Sequence, residues 1–225
     1  MPSSAVGHVS LLAAKDKLLI ATTRTVEKYL RLGWLASRCR LAVCAGGGVL
    51  LDCLSLRPDW TAECLSRLKL SGWSQHSLDR ALSSMLPHSK PEDIEGAIGL
   101  AARRTRWIPD ADCHGEFLRA AKDLGLCGSW TGTKAYLQVR SIDKEGAVRW
   151  ALGSDSKLVA AAGDSELDRG LLEMANSSFI PPECELSISP SSGMNAVSGA
   201  SLGAIITEIS LRLLESIEPN SPNPE

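Results

Sequence analysis

Residues 110–116, Asp-Ala-Asp-Cys-His-Gly-Glu, are the densest run of groups able to bind a metal or move a proton. Their opening follows a calcium loop, where alternating oxygens converge on a hard cation and a glycine allows a sharp turn. His114 stands where the third oxygen ligand belongs, and the twelfth position, normally a bidentate Glu, is Ala121. The loop thus lacks its strongest ligand, and no calcium is expected. A soft-metal site on Cys113 and His114 would need two adjacent residues to fill two corners of one tetrahedron. The run reads better as an acidic helix start, with Asp112 capping and Glu116 complementing the dipole. No metal or cofactor is therefore assigned.

Residues 44–48, Cys-Ala-Gly-Gly-Gly, are the only glycine-rich stretch of phosphate-loop type, but Val49, Leu50 and Leu51 follow instead of Lys-Ser/Thr or a dinucleotide-binding spacing. A connector or hinge is the expectation. Nucleophilic catalysis needs a Cys or Ser brought to a base. His8, His76, His88 and His114 sit in no such motif, so no catalytic residue is assigned.

Positive charge is more suggestive. At about 100° per residue in a helix, Lys17, Arg24, Lys28, Arg31 and Arg38 share one face, opposite Leu12, Leu19, Val26, Leu30 and Leu41. This would be a basic amphipathic helix within residues 10–43, able to set cations against phosphates or anionic lipid heads. A second basic site is Arg103, Arg104 and Arg106 with Trp107, since cations beside an aromatic ring suit single-stranded nucleic acid. Thr22, Thr23 and Thr25 are poor helix formers, and Gly33 is a break point.

The elements that would carry these groups follow from periodicity and caps. Residues 59–69 read as a helix capped by Asp59, and residues 77–86 as another ending before Pro87. Ser89-Lys90-Pro91-Glu92 has the capping-box pattern and predicts a helix to about residue 106. Residues 134–142, 147–152 and 157–162 alternate and predict a three-stranded meander. Gly163-Asp164-Ser165 then caps a short helix to about residue 175. A strand at 184–189 and a helix over about 195–218 complete the pattern. That last helix carries an apolar face and a strip of small residues suited to close packing.

The chain of 225 residues has a net charge of −2, with 44% apolar and 22% charged residues, which excludes a disordered or collagen-like polymer. Seven cysteines without a C-x-x-C pair, and no secretory leader pattern, suggest free thiols in a cytoplasmic setting. No apolar run is long enough to span a bilayer. Charge is uneven: residues 1–110 carry fifteen Lys and Arg against ten Asp and Glu, and residues 111–225 carry nine against sixteen. The expectation is an α+β protein with a mostly helical basic part (1–126), a small α+β part (127–218) and a frayed tail (219–225). Its expected function is non-catalytic: self-association into a homo-oligomer, with RNA ahead of membrane as the anionic partner. Two alternatives are a small metal-dependent enzyme or metal-binding protein built on residues 110–116, and an adaptor that docks a protein partner on the 193–218 helix.

Overall fold

The computed structural model of the chain describes residues 3–156, 158–180 and 195–198. Its elements run α1 (Ser3–Ala14), β1 (Leu19–Ala21), α2 (Val26–Leu30), α3 (Trp34–Arg38), β2 (Leu41–Cys44), β3 (Val49–Asp52), β4 (Ser55–Leu56), α4 (Pro58–Leu70), α5 (Gln75–Met85), β5 (Lys90–Glu92) and β6 (Leu100–Arg104). They continue with α6 (Ala111–Asp123), β7 (Leu126–Thr131), β8 (Lys134–Val139), α7 (Lys144–Leu152), β9 (Leu158–Ala162), α8 (Arg169–Met174), β10 (Ala175–Ile180) and β11 (Asn195–Ser198). This is the expected α+β class, arranged in three sheets. One has the order β1-β2-β3-β4 and another β11-β10-β9, while the antiparallel third is β5-β6-β8-β7. β1 runs parallel to β2, and β10 parallel to both β9 and β11.

The antiparallel sheet has two faces because its side chains alternate. Ala101, Leu137 and Gly128 are in register, and with Ala135, Val139 and Leu126 they turn toward α5 and α6. There Leu78, Leu82, Phe117 and Ala121 complete the main core, which also takes in Val43, Leu50 and Trp60. The other face carries Leu100, Ala102 and Tyr136, which pack against Leu167. Gly128 is required here, since a Cβ would lie 2.9 Å from that of Ala121.

The long basic helix does not exist. α1 stops at Ala14, Asp16 takes a φ of 53°, and residues 19–44 form two parallel strands joined by two five-residue helices. Thr25 caps the first of these through its side chain, and Gly33, at φ 60°, separates the two. Ile20 and the threonines favour extended backbone, and Ala42, Val43 and Cys44 are buried. Short apolar runs in a buried parallel strand are easily mistaken for a helical face, because periodicity alone does not separate them.

Residues 89–106 are likewise two strands and not a helix. Ser89 donates to the Leu86 carbonyl and accepts from Arg103 instead of capping. Pro91 lies on β5, an edge strand, where its missing N–H is tolerated. Gly96 and Gly99 take positive φ (75° and 72°) before β6. Residues 147–152 belong to α7, whose cap is Asp143 accepting from the Gly146 N–H. β9 pairs in parallel with β10, so there is no meander. α4 and α5 lie close to the expected spans, but α5 is capped by Ser74 and Arg57 occupies the cap position of α4. The strand expected at 184–189 lies outside the described residues. So does most of the helix expected at 195–218, whose first four residues form strand β11. Among the described residues no helix is long and apolar enough to cross a membrane.

Candidate functional site

The carboxyl ends of β1 and β9 meet at a polar cavity of about 250 Å³, walled by Thr22 and Thr23 after β1, Gly163 to Ser165 and Asp168 after β9, Lys144, and Thr131 and Tyr136. Clefts outside the carboxyl ends of parallel strands are where open α/β sheets bind ligands. An outer cavity of about 670 Å³ adjoins it, sharing Thr131, Asp164 and Ser165. Trp130, Leu118, Ile108 and His114 line the outer space.

The chain is built tightly around Lys144. Its ammonium donates to Asp168 Oδ1 at 2.5 Å, and both residues are buried, at 4% and 7% exposure. Asp168 Oδ2 accepts from the backbone N–H of Asp164 (3.3 Å) and Ser165 (3.1 Å) and from the Ser165 hydroxyl (2.8 Å). A buried ion pair is tolerated only when its remaining polar atoms are satisfied in this way. Gly163 makes room for the turn: a Cβ there would lie 2.4 Å from that of Asp168.

Lys144 opens α7, and the residue before it is anchored from two sides. The Asp143 carboxylate takes the Gly146 N–H at 2.7 Å, and burial, opposed by that hydrogen bond, raises its pKa above the usual aspartate value. Gly47 packs so closely that a Cβ would lie 2.3 Å from the Asp143 carbonyl carbon. Gln138 ties the same parts together, its amide donating to Gly46 and Ile142 carbonyls at 2.5 Å each. Residues 45–48 are therefore a buried joint, not the expected hinge. Across the cavity the Tyr136 phenol shares a hydrogen bond with Thr23, and burial raises its pKa although that bond opposes the shift.

The basic residues singled out above are dispersed. Lys17 and Arg24 are exposed between elements. Arg31 pairs with Glu27 at 2.5 Å, and Arg38 lies 5.9 Å over the Trp34 ring. Arg103 is held by the Ser89 hydroxyl and carbonyl, while Arg106 and Trp107 are exposed after β6. Only Lys28 and Arg104 come together, at 3.7 and 3.4 Å from Glu92, which Lys134 also contacts. Burial raises the Glu92 pKa, but the hydrogen bonds from Lys134 and Arg104 outweigh it and hold the carboxyl below the usual glutamate range.

In residues 110–116, Asp110 caps α6 by accepting from the Cys113 N–H at 2.7 Å, the role expected of Asp112. Among the described residues no three His, Cys, Asp or Glu side chains gather to hold a metal.

No family model matches the sequence. No curated protein matches it either. Solved structures do resemble it. The sucrose-phosphatase of Synechocystis sp. PCC6803, determined with sucrose and phosphate, superposes with a TM-score of 0.69 over 94% of this chain and 92% of its own, at 16% identity. A Thermoplasma acidophilum protein gives 0.65 over 95% and 90%, at 15% identity. A sugar phosphatase of HAD subclass IIB gives 0.59 over 96% and 92%, at 12% identity. The chain shares their fold. The expectation of a non-catalytic, self-assembling RNA binder is overturned by this likeness to phosphatases, and the helix that motivated it is absent.

The sequence patterns give no site role to Lys144, which falls between the strands expected at 134–142 and 147–152, to Asp164 and Ser165 in the expected cap, or to Asp168 in the short helix after it. The signal available was Gly-Asp-Ser directly after an alternating strand, the place where α/β sheets present ligand groups. Thr22 and Thr23 carried no signal while their segment read as helix.

Proposed function

We propose that the chain hydrolyses a phosphate monoester of a small hydroxylated molecule. The observation that carries this reading is the buried Lys144–Asp168 pair at a polar cavity on the strand ends. A fixed ammonium among hydroxyl donors suits a phosphate dianion, and charge stabilisation in a pocket that excludes water is a large part of phosphoryl-transfer catalysis. Asp168 holds the lysine, and Thr22 and Thr23 supply hydroxyls. The outer cavity, with Trp130 and Leu118 beside Ser129, Thr131 and Ser165, is roomy enough for the alcohol portion. The fold likeness to phosphatases that act on phosphorylated sugars supports the same reading.

In the reaction, water forms a new P–O bond as the ester P–O bond breaks. Asp164, on the wall shared by both cavities, takes a proton from the attacking water and passes it to the departing alkoxide oxygen, so that the products are the neutral alcohol and inorganic phosphate and Asp164 ends as a carboxylate. The test is release of inorganic phosphate from a panel of phosphorylated sugars and polyols by the full chain. Turnover on at least one substrate, lost in Asp164→Asn, is the expected result. Absence of release from every substrate at high enzyme concentration would overturn the reading.

A further inference from the structure

Phosphoryl-transfer sites commonly hold Mg²⁺ on one or two carboxylates together with phosphate oxygens and water. The residues here fit that ion poorly. Of the two carboxylates at the cavity, Asp168 has both oxygens engaged, one by the Lys144 ammonium at 2.5 Å and the other by Asp164 and Ser165, which leaves Asp164 as the single carboxylate for an ion, the same group that the proposed hydrolysis uses as its proton acceptor. A dication sharing Asp168 would sit beside that ammonium, where like charges at a few ångströms repel strongly. The part of the lining that follows β1 offers Thr22 and Thr23 hydroxyls and no carboxylate. Among the described residues no set of three metal-ligating side chains forms.

We infer that the phosphate group binds directly to the Lys144 ammonium and the threonine hydroxyls, without a bridging divalent cation. This rests on the phosphate-ester reading of the same cavity, and it specifies which positive charge neutralises the ligand. Lys144 is suited to that task because it is already desolvated and oriented by Asp168. Binding therefore requires no reorganisation of the cation, and the hydroxyl donors line the same cavity of about 250 Å³. Glu92 and its three cations belong to a separate cluster on the antiparallel sheet and supply none of this charge.

The experiment is calorimetric titration of the full chain with inorganic phosphate, once in excess EDTA and once with Mg²⁺ at millimolar level. The same dissociation constant is expected in both buffers. Thr22→Val should weaken binding by about tenfold, the worth of one hydrogen bond to a charged group. Lys144→Met should abolish it. That variant leaves Asp168 unpaired and can fail to fold, so the threonine variant and the two-buffer comparison on the unaltered chain stand independently of it. Binding seen only with Mg²⁺, no binding in either buffer, or binding indifferent to Thr22→Val would each overturn the inference. Metal-dependent binding accompanied by phosphate release would leave the hydrolase reading standing. Metal-independent binding without release would overturn the hydrolase reading alone.

Discussion

Two groups of charges in this molecule use similar chemistry to different ends. At the cavity, one lysine meets one aspartate, both buried, and the other aspartate oxygen is filled by two backbone amides and a hydroxyl. On the antiparallel sheet, Glu92 meets Lys28, Arg104 and Lys134, whose side chains are 46%, 56% and 29% exposed, and its buried Oε2 has no hydrogen-bond partner. The first arrangement fixes one geometry and tolerates no missing member. The second surrounds a largely buried carboxylate with three partly exposed cations, and is redundant and able to lose one of them with little consequence. Number of ion pairs is thus a poor guide to importance, whereas burial and completeness of hydrogen bonding are good ones.

The contrast is sharpest in stability. Lys144→Met leaves a buried, unpaired carboxylate and should lower unfolding free energy by about 3–5 kcal/mol, measurable by urea denaturation. A loss below about 1 kcal/mol would erase the distinction drawn here. Gly163→Ala should cost about 1–3 kcal/mol, because the added methyl overlaps the Asp168 side chain and the turn must shift. Its melting temperature and phosphate affinity should fall together.

Glu92→Gln should cost only about 1 kcal/mol at neutral pH. Because the folded-state pKa of Glu92 lies below its ordinary value of 4.5, its stabilising contribution is complete above that value. The contribution is lost as pH falls through the lower folded-state pKa. The stability gap between the unaltered chain and Glu92→Gln should therefore narrow on acidification below about pH 4.5, as read from urea midpoints across pH. A gap that widened would reverse the sign assigned to the cluster. Arg31→Ala, which removes an exposed pair with Glu27, should change stability by less than about 0.5 kcal/mol.

The same contrast explains what was legible in the sequence. α4, α5 and β8 were legible because their patterns are local: Pro58 at a helix start, an alternation of Ala135, Leu137 and Val139, turn residues at the ends. β1 and β2 were not, because short strands that are apolar throughout, half-buried in β1 and mostly buried in β2, carry no period of their own. β5 and β6 were misread because Ser89 and Glu92 satisfy a capping-box pattern while their actual partners, Arg103 and Lys134, lie 14 and 42 residues away. The site suffered most. Lys144 and Asp168 are 24 residues apart, and the threonines facing them come from the opposite end of the described chain. No spacing rule brings such groups together; only the meeting of strand ends does.

The close seating of Gly47 on Asp143 leaves no space between two distant stretches of chain. An insertion or a bulkier residue in the glycine turn would displace the neighbouring ammonium although it touches no part of the cavity. Substitution at that turn is therefore expected to lower the phosphate affinity proposed above, an effect that a screen confined to residues lining the pocket would overlook.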